Sequence, residues 1–198
     1  MDMTAKKLRV LFVGNSYTFY NQMPQTAFTE QAKEAGFDVE VTAVTRGGYY
    51  LSQFADPENE EGKRLRETVN GKSYDFAVLQ EQSKNPIQDE ARFLAGVAGV
   101  KALINAENFI LYATWGRNDG SKDLAELGLT REEMTEKLSI AYNKAAKQFG
   151  AKVAEVGKAF LAYGENHDKD ELYNPDMSHP SALGSKIAAK VILEQMKG

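Results

Sequence analysis

The chain contains no cysteine. Disulfides and thiolate metal sites are therefore excluded, and a reducing compartment fits. There are only two histidines, His167 and His179, far apart and in unlike contexts, which gives no metal-ligand spacing. Neither a metal nor a cofactor is expected. No dense basic cluster is present: Lys and Arg are dispersed and the net charge is −4. Phosphate backbones need a concentrated basic face, so nucleic acid is not an expected partner. No apolar run approaches the roughly 20 residues that span a bilayer, so no membrane partner is expected either. Met1 to Arg9 is short and polar, without a signal-peptide core. Read literally, this predicts a cytoplasmic protein; a chain whose export signal had been removed, periplasmic or secreted, would read the same. No linker, repeat or low-complexity stretch interrupts the 198 residues, which predicts one domain over 1–198.

What is present is an alternation of strand and helix patterns. The run Val10-Leu11-Phe12-Val13 stops abruptly at Gly14-Asn15-Ser16. A continuous apolar run of this kind predicts a strand buried on both faces, here Leu8 to Gly14. Further strands are predicted at Asp38 to Val44, Asp75 to Gln80, Asn108 to Trp115 and Lys152 to Val156. Helices are predicted at Pro24 to Ala35, Pro57 to Asn70, Asp89 to Ala106, Arg131 to Phe149, Lys158 to Tyr163 and Pro180 to Met196. The charge run Glu58 to Glu67 reads as a solvated helix face. Five strands, each followed by a helix, predict an α/β fold. The expected form is a three-layer α/β/α sandwich on a flavodoxin-like, five-stranded parallel sheet in the order 2-1-3-4-5.

In such sheets ligands bind beyond the carboxyl ends of the strands, where Ser16 falls. A serine hydroxyl needs a base to act as a nucleophile, and the usual base is histidine. His179 stands in Asp176-Met177-Ser178-His179-Pro180. Asp176 can reach one ring nitrogen across a turn and leave the other facing a serine. Pro180 suits the first turn of the last helix, which would put His179 at that helix's N-terminus. His167, amid Glu165, Asn166, Asp168 and Lys169, reads as a solvated loop residue. Plain structural readings exist beside these. Asp-x-x-His-Pro is commonly a helix cap, Gly-Asn-Ser can be a turn or a phosphate-binding loop, and Trp115 can be packing. Chemistry is favoured because the serine and the histidine both fall at expected site positions.

Val13-Gly14-Asn15-Ser16-Tyr17-Thr18 near the front and Asp176-Met177-Ser178-His179-Pro180-Ser181-Ala182-Leu183-Gly184 near the back resemble the SGNH hydrolase superfamily, the GDSL-type esterases and lipases. The landmarks run in that family's order from residue 13 to residue 184. The resemblance implies a serine esterase cleaving an acetyl or short acyl ester, on a carbohydrate, through an acyl-enzyme. It implies Ser16 as nucleophile, His179 as base, Asp176 as the residue orienting it, and the Ser16 amide as one oxyanion donor. A second landmark, a glycine after strand two, corresponds to Gly47 or Gly48, with Gly48 favoured. The third, Gly-x-Asn-Asp after strand three, is replaced by Leu79-Gln80-Glu81-Gln82-Ser83. A glutamine amide can donate as an asparagine amide does, so Gln80 and Gln82 are both candidates, and strand phase places them on one side. Asn15 stands where the commoner motif has aspartate. Asn15, Tyr17, Gly47, Tyr49 and Trp115 are candidate substrate contacts, at the same sheet edge as Tyr50 and Arg117. This lining suits a sugar or aryl ester, and a lipid acyl chain also fits.

Two other classes compete. One is a non-catalytic, hydrolase-like carbohydrate-binding module in which the altered third landmark has abolished turnover. The other is a nucleotide or phosphate binder using the Gly14-Asn15-Ser16 turn, which lacks both Gly-x4-Gly-Lys-Ser/Thr and Gly-x-Gly-x2-Gly spacing. The expected partner is a small-molecule or carbohydrate ester substrate.

Overall fold

The computed structural model describes residues 7–197; of the polar stretch Met1 to Arg9, residues 1–6 lie outside the described residues. The elements run β1 (Leu8–Gly14), α1 (Ser16–Phe19), a 3-10 turn (Tyr20–Gln22), α2 (Ala27–Glu34), β2 (Val39–Thr45), α3 (Leu51–Ala55), α4 (Glu60–Val69) and β3 (Tyr74–Leu79). There follow α5 (Asn85–Gln88), α6 (Glu90–Leu103), β4 (Ala106–Ala113), α7 (Lys122–Leu127), α8 (Arg131–Phe149), β5 (Lys152–Glu155), α9 (Val156–Gly164), a 3-10 turn (Lys169–Leu172) and α10 (Ala182–Glu194). The five strands pair in parallel in the order β2-β1-β3-β4-β5.

Alternate residues of each central strand serve opposite layers. Leu11, Val13, Ala77, Leu79, Leu111 and Ala113 pack with Leu51, Phe54, Phe93, Leu138 and Tyr142 on one face. Val10, Phe12, Phe76, Val78, Ile110 and Tyr112 pack with Phe28, Phe160, Ala188 and Ile192 on the other. Because both phases of the strand are buried, residues 10–13 of β1 and 76–79 of β3 read in sequence as unbroken apolar runs. Among the described residues no helix is long and apolar enough to cross a membrane.

The predicted boundaries shift where capping side chains decide them. Helix α4 starts only at Glu60, capped by the Asn59 side chain, and α6 at Glu90, capped by Asp89. The solvated face expected over Glu58 to Glu67 is broken by Glu61, which is 3% exposed and pairs with Arg46 (3.7 Å) and Arg64 (3.1 Å). The last helix begins at Ala182 with Ser181 as its cap, not at Pro180. Pro180 instead forms an isolated bridge with Tyr173. His179 therefore sits in the loop ahead of the helix rather than at its N-terminus. The short helices α3, α5 and α7 were not anticipated, because four to six residues carry too little period to read.

Candidate active site

The parallel sheet brings the carboxyl ends of β1, β2, β3 and β4 to one edge, and the loops there line a cleft of about 390 Å³. Its walls include Ser16, Gly47, Gly48, Gln82, Arg117, Ser178 and His179. A larger hollow of about 500 Å³ lies at the opposite sheet edge, between Val69–Ser73 and Leu103–Asn105, and contains no histidine.

Ser16 is the first residue of α1, separated from the end of β1 only by Asn15. The Asn15 side chain caps that turn by accepting from the Tyr17 amide (3.1 Å), and its Nδ2 donates to the Tyr49 carbonyl (3.1 Å). As the first helical residue, Ser16 has an amide that precedes the helix's internal bonds and stays available to the cleft. Ser16 Oγ lies 2.8 Å from His179 Nε2, although 163 positions separate the two residues. His179 Nδ1 lies 2.6 Å from Asp176 Oδ2.

Asp176 also shapes its own loop: its Oδ1 accepts from the Ser178 amide (3.0 Å) and the His179 amide (2.9 Å). Burial pulls this carboxyl upward. The hydrogen bonds from the His179 ring and from the His179 and Ser178 amides outweigh that pull and hold it below the usual carboxylate range. The loop is fastened from behind by residues past β4. Trp115 Nε1 donates to the Ser178 carbonyl (3.1 Å), and the Asn118 amide donates to the Met177 carbonyl (2.9 Å).

On the far wall, a turn closed from the Tyr49 amide to the Arg46 carbonyl (3.3 Å) places Gly48 at φ +73°. Only glycine adopts that conformation without strain, and the turn leaves Gly47 and Gly48 in the cleft lining.

The two glutamines separate cleanly. Gln80 is fully buried: its Oε1 accepts from the Asn15 amide (2.9 Å) and Thr18 Oγ1 (2.9 Å), while its Nε2 donates to the Glu81 carbonyl. Its amide is spent on holding the serine loop, which corrects its candidacy as an oxyanion donor. Gln82 lines the cleft, and its Oε1 accepts from the Lys84 (2.9 Å) and Asn85 (3.1 Å) amides, which leaves the NH2 end for the cleft. Strand phase does not relate the two, because β3 ends at Leu79.

Other expected contacts are also corrected. Trp115 is fully buried, stacked between Tyr17 (4.7 Å) and Phe160 (4.4 Å), and does not border the cleft. Trp115→Ala is expected to cost about 3–5 kcal/mol in chemical denaturation, as truncation of a buried aromatic does. Tyr49 packs against Phe54 (5.6 Å) outside the cleft lining. Asn15 and Tyr17 border the cleft, but their polar groups are engaged within the protein. The Tyr17 hydroxyl meets Ser178 Oγ (2.7 Å) and accepts from Arg117. Gly47 lies in the lining as expected. His167 is exposed and stacks on Tyr163 (4.3 Å), away from Ser16. Sequence reasoning missed Tyr20, whose ring stacks on His179 (4.1 Å). Its spacing of four from Ser16, one helical turn on, was the signal that could have found it.

Behind Gln82 lies a buried carboxyl. Glu81 accepts from the Leu51 amide (3.3 Å) and the Gln82 amide (2.6 Å), tying α3 to the Gln82 loop. Burial pushes its pKa up to about 7 from 4.5, against the lowering influence of those amides and of Arg92. Such a group stabilises the fold fully below about 4.5, and that contribution is lost as pH rises through about 7. A shift of this size corresponds to roughly 3 kcal/mol. Glu81→Gln, which keeps an acceptor for Gln82, is therefore expected to gain up to roughly 3 kcal/mol over the native chain at pH 8 but not at pH 4.5. Urea melts at the two pH values test this; equal differences at both would refute it.

No family model matches the sequence, and no curated protein matches it. Solved structures do. A DUF4886 family protein from Bacteroides uniformis superimposes with a TM-score of 0.80 over 97% of this chain and 83% of that one, at 18% identity. An acetylxylan esterase from Geobacillus stearothermophilus superimposes with a TM-score of 0.69 over 100% and 97%, at 14% identity. Both show a shared fold. A protein from Slackia heliotrinireducens, assigned to the SGNH hydrolases, is 31% identical with a TM-score of 0.81 over 96% of this chain and 100% of that one. With that identity over nearly the whole of both chains, on the same parallel sheet, this chain belongs to the SGNH hydrolase superfamily.

Proposed function

We propose that the chain is, over its length, a single catalytic domain: a serine esterase that removes a short acyl group, such as acetyl, from a polar alcohol of carbohydrate type. Ser16 Oγ attacks the ester carbonyl as its proton passes to His179 Nε2, and Asp176 holds the imidazole in the required tautomer. The Ser16 and Gly48 amides and Gln82 Nε2 receive the oxyanion. The proton returns through His179 to the leaving alkoxide, and water then resolves the acyl-enzyme by the same route.

One observation carries this reading: the run of contacts from Ser16 Oγ to His179 (2.8 Å) and on to Asp176 (2.6 Å), opening into a cleft that also holds Gly48 and Gln82. The substrate class draws support from the lining, which is polar apart from the rings of Tyr17 and Tyr20 and offers no aliphatic trough for a long acyl chain. The acetylxylan esterase among the structures with this fold points the same way. The test is covalent labelling by a fluorophosphonate together with turnover of p-nitrophenyl acetate and acetylated sugars. Labelling at Ser16 with turnover is expected; an unlabelled, inactive protein that still binds sugars would instead make it a binding module.

A further inference from the structure

The mechanism above leaves unused a second contact between the front of the chain and the histidine loop. The ring of Tyr20 lies flat on the His179 imidazole, with centroids 4.1 Å apart and planes at 12°. Tyr17 meets the same imidazole edge-on at 5.4 Å and 73°. Next to Tyr20, Asn21 Nδ2 donates to the carbonyl of Pro180 (3.0 Å), the residue after His179, and to buried Ser185 Oγ (2.8 Å). Ser185 Oγ in turn donates to the Tyr20 carbonyl (3.4 Å). One residue thus covers the imidazole while its neighbour pins the backbone that carries it.

The backbone that makes this possible is strained. Asn21 and Gln22 both lie in the left-handed region, at φ +54° and +52°. Asparagine tolerates that region and glutamine does so less readily, so two in succession persist only where surrounding contacts over-determine them. Strain of this kind gathers at functional sites. Here the two residues form the turn that follows α1 and Tyr20, closed by the Met23 amide donating to the Tyr20 carbonyl (3.1 Å).

We propose that Tyr20 and Asn21 are positioning residues that together clamp His179, fixing the plane of its ring and its distance from Ser16. The proposal rests on the reading of His179 as the general base. A ring stacked on the imidazole blocks rotation out of line with Ser16 Oγ. Its π-face also favours the imidazolium formed as the serine proton moves to Nε2.

The test uses the full chain with Tyr20→Ala, Tyr20→Phe and Asn21→Gly. It measures kcat and KM on p-nitrophenyl acetate and records the ring nitrogen signals of 15N-histidine-labelled protein, with His167 as internal reference. Tyr20→Ala is expected to lower kcat about 10- to 100-fold with KM within about threefold, the scale of a misplaced catalytic group. Tyr20→Phe keeps the stack and should stay within about twofold of the native rate. Asn21→Gly accepts the left-handed backbone but deletes the pin, and should lower kcat about fivefold. In Tyr20→Ala and Asn21→Gly, the His179 signals should broaden or average while those of His167 do not. Native kcat in both variants, or a loss confined to KM, overturns the proposal; Tyr20→Leu replaces Tyr20→Ala if the latter does not fold. Should the native chain show neither turnover nor labelling, the esterase reading fails, and unaltered His179 signals in the variants would separately end the clamp.

Discussion

Ser16→Ala is expected to reduce kcat on p-nitrophenyl acetate by about 10⁴- to 10⁶-fold, and His179→Ala by a similar factor. The double variant should be little worse than either alone, since a nucleophile without its base and a base without its nucleophile fail at the same step. Asp176→Asn is the more informative change. Its Oδ1 can go on accepting from the Ser178 and His179 amides, so the loop keeps its shape. In place of Oδ2, 2.6 Å from His179 Nδ1, it presents an NH2 donor. Nδ1 must then become the acceptor, and the proton moves to Nε2, where it cannot receive another from Ser16. A loss of about 10⁴ in kcat with an unchanged melting temperature is expected. A loss of less than about tenfold would show that Asp176 does not set the tautomer.

Gln82→Ala is expected to lower kcat by about 10²- to 10³-fold, the usual cost of one oxyanion donor, with a smaller loss of stability than Gln80→Ala, because the bonds it gives up from the Lys84 and Asn85 amides are only part-buried and the Asn85 amide keeps the Gln82 carbonyl as acceptor. Gln80→Ala should do the reverse. It leaves the Asn15 amide and Thr18 Oγ1 without their shared acceptor, in a region where Gln80 and Thr18 are 0% and 1% exposed. Buried donors left unmade cost about 1–3 kcal/mol each, so its signature is a lower denaturation midpoint. The pair forms a cross-check, with a rate effect for one glutamine and a stability effect for the other. If Gln80→Ala left stability untouched while abolishing turnover, the two roles would be exchanged.

The interchange matters because sequence alone treats the two glutamines as equivalent. Residues 80 and 82 share a phase if the strand continues, and only the end of β3 at Leu79 breaks that symmetry. Trp115 teaches the same lesson. Its place just past β4 suits a substrate contact, yet the chain turns it inward to anchor the Ser178 carbonyl.

The sheet, its order and its two apolar faces were legible in the sequence because burial on both sides demands unbroken apolar runs, and short crossovers leave few topologies for five such strands. The edge at which Ser16 and the Asp176–His179 pair lie was legible for the same reason, since each follows or precedes an element whose direction the parallel sheet dictates. Side-chain partners at that edge were decided by tertiary structure alone. Whether an amide faces the cleft or the serine loop, and whether a ring covers the histidine or the core, depends on loops without a period. Their conformations follow from individual hydrogen bonds such as Asn21 to Pro180 and Gln80 to Asn15, which link residues 159 and 65 positions apart and leave no trace in local pattern.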